Sequence, residues 1–267
     1  MVFSRFLLAV ECAALIGACV QLSESAHADS VGISVADSSF AGGAASRYQL
    51  NGAAVLDGNS IRLNHAAGSL YGTAFVKELV SLPSNRSFSA YFTFKITNPE
   101  CGTGGGADGL SFIVQTDSSA VGSTGGGLGY AGILPSLAVE FDTFKNDGFK
   151  DPDDNHIGVS LNGDPESVKT APAPFLLIDG NTYHAWIDYD GSDDSLQVRL
   201  ASAAERPAEP SLSYTVDLEE VIGSEVYVGF TAATGSCKEQ HNIGSFFFEN
   251  RAMDGGIDPA SGEFVAR

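Results

Sequence analysis

The stretch AVEFDTFKNDGFKDPDDNHIG, from Ala138 to Gly158, gathers Glu140, Asp142, Asn146, Asp151 and His156 in one short segment. Its first half alternates like a strand, where residues two apart share a face. Glu140, Asp142 and Phe144 are therefore expected on one side. Two carboxylates that close repel each other unless a cation lies between them. The loop NDGFKDPDDN folds Asp151 back toward them, Pro152 stiffens it, and His156 opens the next strand. Two ligand chemistries overlap here. Asp142, Asn146, Asp151 and a backbone carbonyl near Phe144 offer only oxygen, which suits Ca²⁺. Glu140, Asp142, Asp151 and His156 combine carboxylate with imidazole, which suits Mn²⁺ or another transition ion. A solvated acidic loop has the same composition. An EF-hand does not fit, because its regular acidic spacing and closing Glu are missing.

The elements that must position these residues are strands. Eleven strand-like runs follow one another, among them FSAYFTFKI, GLSFIVQ, LAVEFDTF, HIGVSLNG, YHAWIDYDG and IGSFFFEN. Several alternate apolar and polar residues, as half-buried strands do. Asp190-Gly191 lies between two of the runs and signals a hairpin. Helical periodicity is confined to DLEEVIG, room for one short turn. The pattern predicts an all-β sandwich built as one domain.

The formal charge of −19 excludes a nucleic-acid partner, since phosphate binding needs clustered Lys and Arg. The N-terminus reads as an export signal: Arg5, the apolar run FLLAVECAALIGACV, then AHA. Cleavage after Ala28 leaves residues 29–267, with 13 basic against 31 acidic residues, net −18. A second reading attaches lipid at Cys19. No other segment is apolar enough to span a bilayer. The reading places the mature chain outside the cell or in a periplasm. There its two remaining cysteines, Cys101 and Cys237, most simply form one disulfide. Asn85 begins a glycosylation sequon, NRS.

The order E-x-D-x-aromatic-x-N, then D-P, then H-I-G resembles the metal-binding signature of legume-type (L-type) lectins. The strand ADGLSFIVQ, the glycine loop GGGLGYAGI and the late segments YHAWIDYDG and VYVGFTAATG…HNIGSFFF also resemble that family, over residues 31–250. The resemblance implies a concanavalin A-like jelly-roll β-sandwich that binds a sugar beside Ca²⁺ and a transition-metal ion. It implies that the ions order loops and do not catalyse. By similarity Asp108 and Asn146 meet the sugar hydroxyls, an N–H comes from Gly126 or Gly127, and Phe144 covers the apolar face of the pyranose. The family holds the bond equivalent to Ala107–Asp108 in the cis form. Ser236, Cys237 and Lys238 fall where side chains select the sugar, and a Cys101–Cys237 bridge would staple that rim. The partners implied are glycans, with a homodimer raising avidity. His65, His184 and His241 read as structural or surface residues. The signal sequence, glycine loop and cysteines suggest a bacterial or distant member.

A jelly-roll glycoside hydrolase is the alternative. It needs two carboxyl groups set about 5–5.5 or 6.5–9.5 Å apart across a glycosidic bond. The run EFDTFK has Lys145 where glucanases of this architecture place a second Glu. Metal ligation would also occupy the lone pairs of Glu140 and Asp142.

Overall fold

The computed structural model describes residues 35–102, 105–251 and Asp258. Residues 1–28, expected to be the export signal, lie outside them. Two antiparallel sheets of eight strands face each other. In the first sheet the strands run Leu212–Thr215, Ser195–Ala201, Thr182–Asp190, Phe88–Glu100, Lys238–Glu249, Ser60–Asn64 and Val55–Asp57, and Val35–Asp37 also pairs with Lys238–Glu249. In the second they run Lys169–Pro172, His156–Leu161, Ser136–Asp142, Gly109–Gln115, Glu225–Ala233, Tyr71–Val76 and Tyr48–Gly52, and Val80–Ser81 also pairs with Glu225–Ala233. Asp190-Gly191 turns the hairpin between Thr182–Asp190 and Ser195–Ala201, and the short helix falls at Leu218–Val221.

Alternation decides what each sheet buries. Phe88, Ala90, Phe92, Phe94 and Ile96 point inward from one sheet, and Leu110, Phe112, Val114, Val139 and Phe141 from the other. Aromatic rings fill the space between the layers: Phe92 lies 4.9 Å from Phe230, and Phe94 lies 4.8 Å from Phe141, between ring centres. Tilted and edge-on contacts of this kind add to the burial energy.

The opposite face of Ser136–Asp142 carries Ser136, Ala138, Glu140 and Asp142. It is covered rather than solvated. Leu128, Tyr130 and Ile133 pack on it with Phe75, Ile113 and Ala138 as a second, smaller apolar cluster. This lid of loop over sheet takes the carboxylates of that face out of water.

The structure corrects two expectations. The described residues form sixteen strands rather than eleven. The strand that starts the acidic stretch ends at Asp142, so Phe144 is not placed by strand alternation. Asp142 itself stops the ladder there: its Oδ1 accepts the Phe144 N–H at 2.8 Å and turns the chain into the loop.

Candidate functional site

Strand register builds the centre of the site. Asp142 lies directly opposite His156 across the pair Ser136–Asp142 and His156–Leu161. Asp151 returns beside them because its Oδ2 accepts the Asn146 N–H at 2.6 Å. Asp142, Asp151 and His156 each offer one ligand atom, and all three atoms lie within 4.8 Å of one another. Glu140 Oε1 is 3.9 Å from His156 Nε2. Glu140, Asp142, Asp151 and His156 are all buried.

Three buried carboxyl groups around one imidazole is an unstable arrangement without further positive charge. Burial pushes the Glu140, Asp142 and Asp151 carboxyls above their ordinary range, and the Glu140 charge adds to the rise at Asp142. His156 Nδ1 lies 3.1 Å from the Asp153 carbonyl oxygen, which can only accept. Nδ1 therefore carries a proton, and Nε2 is buried without a hydrogen-bond partner among the described residues. Asn146 Oδ1 is likewise buried without a donor. These orphaned atoms and the mixed oxygen and nitrogen donors fit a cation pair.

Asp108 adjoins the start of the acidic loop: the next residue, Gly109, pairs with Asp142, and the Asp108 carbonyl accepts the Thr143 N–H at 3.0 Å. The Ala107–Asp108 peptide bond is cis. Its carboxyl is fed by the Gly235 N–H, while Oδ2 is buried with no partner. Burial, and after it the Glu239 charge, pushes this carboxyl up to about 7. In the glycine loop Gly125, Gly126 and Gly127 form one 3₁₀ turn. Gly127 donates its N–H to the Thr124 carbonyl at 3.4 Å, and Gly125 donates to Thr234 at 3.1 Å. Among the described residues the Gly126 N–H has no backbone acceptor. A Cβ on Gly126 would collide with the Asn146 carboxamide.

The rim is set by the Cys101–Cys237 disulfide, with Cα atoms 4.7 Å apart and a sequence separation of 136. Ser236 beside it is exposed. Phe144 is half-buried and borders a depression of about 180 Å³ whose walls include Cys101, Gly105, Gly106, Leu176 and Ile178.

Spacing alone did not point to the groups that hold the candidate site residues in place. Tyr130 donates to Glu140 Oε2 at 2.6 Å, and Ser167 donates to Glu140 Oε1. Gly235 and Glu239 act on Asp108. His241 is not a surface residue: it is fully buried between Asn64 and Glu239. The signal for Tyr130 was present in GGGLGYAGI as the polar tip of an otherwise apolar loop.

Two packed antiparallel sheets with loops ordered on one outer face define a jelly-roll sandwich of the lectin class. The legume lectin domain family matches residues 37–261, and the chain belongs to that family. Two L-type lectin-domain containing receptor kinases of Arabidopsis thaliana are similar to it. Kinase VIII.1 is 37% identical over 59% of the chain and 22% of the kinase, and kinase VIII.2 is 34% identical over 72% and 27%. The chain thus spans less than a third of either kinase. Among solved structures, basic winged bean lectin, crystallised with Tn-antigen, superposes with a TM-score of 0.70 at 30% identity, over 82% of this chain and 98% of the lectin. The relatives come from Arabidopsis thaliana and lend no support to a bacterial origin. The chain carries a legume lectin domain, and neither that family nor the solved lectins it resembles lends support to the hydrolase alternative. The site agrees: Glu140 is 1% exposed and already engaged by two hydroxyls. No helix among the described residues is long and apolar enough to cross a membrane.

Proposed function

We propose that the chain is a cation-dependent lectin that grips one sugar unit of a glycan between Asp108, Asn146 and Gly126. One observation carries the reading. Asp108 Oδ2, Asn146 Oδ1 and His156 Nε2 are buried, and none has a hydrogen-bond partner among the described residues. A buried polar atom left unpaired costs about 1–3 kcal/mol. Three together, each suited to a different ligand, are well explained as seats for ligands. A sugar hydroxyl satisfies Asp108, a hard cation satisfies Asn146 Oδ1, and a transition ion satisfies His156 Nε2.

On this reading Ca²⁺ is held by Asp142, Asn146, Asp151 and the Phe144 carbonyl. Mn²⁺ or a similar ion is held by Glu140, Asp142, Asp151 and His156. The ions supply positive charge that compensates buried carboxylates and orders the loop. The chain's own groups then do the recognition. The Asp108 carboxylate accepts from vicinal hydroxyls. The carboxamide of Asn146, with Oδ1 turned to the cation, aims its NH₂ at the sugar. Gly126 brings its free N–H close because it has no side chain. Gly127 supports that turn, the Phe144 ring meets the C–H face of the pyranose, and Ser236 and Cys237 shape the rim. Residues 1–28 direct export, and self-association multiplies a weak single-site affinity.

The test is a glycan array probed with Ca²⁺ and Mn²⁺ and again after chelation. Binding that is lost in chelator and restored by adding back the ions supports the reading. Binding indifferent to chelation overturns the cation requirement, and an array without a hit overturns the sugar site.

A further inference from the structure

Beside the proposed sugar site lies a buried polar network. Glu239 and His241, on the strand Lys238–Glu249, and Asn64, on the neighbouring strand Ser60–Asn64, are all 0% exposed. Asn64 donates its NH₂ to the carbonyls of Glu239 at 2.9 Å and His65 at 3.2 Å. That fixes the amide, so its Oδ1 faces His241 Nδ1 at 2.7 Å. The other ring nitrogen, Nε2, lies 2.8 Å from Glu239 Oε1. The ring is thus held from both sides, by Asn64 and by Glu239.

The carboxylate is thereby aimed at two segments of the site. Its Oε1 also accepts the Thr143 hydroxyl at 2.5 Å. Thr143 follows the ligand Asp142 and in turn donates its N–H to the Asp108 carbonyl oxygen at 3.0 Å. The second oxygen, Oε2, is buried, unpartnered and set against Gly106, where any Cβ would collide with it. Gly106 leads directly into Ala107 and the cis bond to Asp108. Two residues before Glu239, Cys237 is bonded to Cys101, so the same strand end is covalently tied to the rim.

We propose that Glu239 is a positioning residue for carbohydrate binding: aimed by His241 and Asn64, it locks the start of the metal loop at Thr143 to the Asp108 loop at Gly106. The proposal rests on the sugar site described above. Glu239 touches neither sugar nor ion. It sets the distance between the loop that carries Asp108 and the loop that carries Asn146.

The experiment compares wild type with Glu239→Leu, Glu239→Gln, Thr143→Val and Asp108→Asn. Binding is measured to immobilised methyl glycosides of galactose, N-acetylgalactosamine, glucose, mannose and fucose, with Ca²⁺ and Mn²⁺ affinities and the thermal midpoint read in parallel. Glu239→Leu is expected to weaken binding of the preferred glycoside by about tenfold or more, the scale of a lost hydrogen bond to a charged group. Metal affinities should stay within about twofold of wild type, less than the worth of one such bond. Glu239→Gln, which keeps an acceptor for Thr143, should recover most of the loss. Thr143→Val, which removes only the hydroxyl that reaches Glu239, should weaken binding in the same sense and serves alone if Glu239→Leu does not fold. Wild-type sugar affinity in Thr143→Val, or metal affinity falling in step with sugar affinity, overturns the proposal. A wild-type chain that binds none of the five glycosides, or an Asp108→Asn variant that binds as well as wild type, instead overturns the sugar site and the proposal with it.

Discussion

Gly126 and Asn146 meet so closely that the carboxamide of Asn146 occupies the volume a Cβ on residue 126 would need. The two lie on separate loops, one in the glycine-rich 3₁₀ turn and one at the start of the acidic loop. The contact fixes the amide that links the proposed ion to the proposed sugar. Gly126→Ala must displace either the loop or Asn146. We expect at least about a tenfold loss of sugar affinity by calorimetry, equivalent to one good hydrogen bond to a charged group. An alanine variant with undiminished affinity would place the sugar away from Gly126.

His156 offers a cleaner separation of the two ions. Its Nδ1 proton is committed to the Asp153 carbonyl, so Nε2 is free to ligate. Asn146, by contrast, has only its oxygen to give a hard cation. His156→Ala should therefore weaken Mn²⁺ binding by more than the roughly 10–100-fold cost of losing a supporting residue. Ca²⁺ should weaken less. Elemental analysis after dialysis against each ion reads both. Equal loss of the two ions would show that His156 holds the loop and not a transition metal.

That Asp142, Asp151 and His156 come together was legible because strand residues two apart share a face and the loop folds Asp151 back toward them. The core was legible because FSAYFTFKI and GLSFIVQ alternate in the same phase as the buried residues Phe88, Ala90, Phe92, Leu110 and Phe112. The strands missed were short or built of small residues. Val35–Asp37, Val80–Ser81 and Lys169–Pro172 offer too few positions for a period, and Tyr71–Val76 reads weakly because it contains Gly72, Thr73 and Ala74. Another of the eleven runs, RYQLNGAAVL at residues 47–56, is two strands, because Gly52 takes a positive φ of 63° and breaks the ladder. Phe144 lies beyond the alternation used to place it, since Asp142 accepts the Phe144 N–H and ends the strand. Glu239 and Tyr130 were invisible to spacing arguments, because their partners Thr143 and Glu140 reach them only through the fold.

The Cys101–Cys237 bridge closes a long loop across the rim of the site, between the ends of two neighbouring strands of the first sheet. In the chain-entropy view a bridge over 136 positions stabilises by about 5 kcal/mol. The paired variant Cys101→Ser with Cys237→Ser should unfold at markedly lower denaturant. Its sugar affinity should fall as well, because Cys237 lies two residues from both Gly235 and Glu239. Denaturant titration and calorimetry test the two effects separately. Unchanged stability would mean that the strand pairing at Lys238–Glu100 alone holds the ends together.

Stability should depend on pH in opposite directions with and without cations. In the metal-free chain burial raises Glu140, Asp142 and Asp151, and lifts Asp108 to about 7. The folded chain then binds more protons than the unfolded chain between the ordinary carboxylate range, about 4, and pH 7. Stability falls with rising pH wherever the folded state holds the extra protons. The contribution of these groups is full below about pH 4 and is lost as pH climbs toward 7. Cations bind the deprotonated ligands, so in excess Ca²⁺ and Mn²⁺ the stabilisation grows over the same interval. Sugar binding should follow the cation-loaded trend, since Asp108 must be ionised to accept from two hydroxyls. Thermal midpoints at pH 4, 5, 6 and 7, in chelator and in excess ions, give two lines of opposite slope if the buried carboxylates form the ion site. Parallel lines would mean that the cations bind elsewhere on this acidic chain.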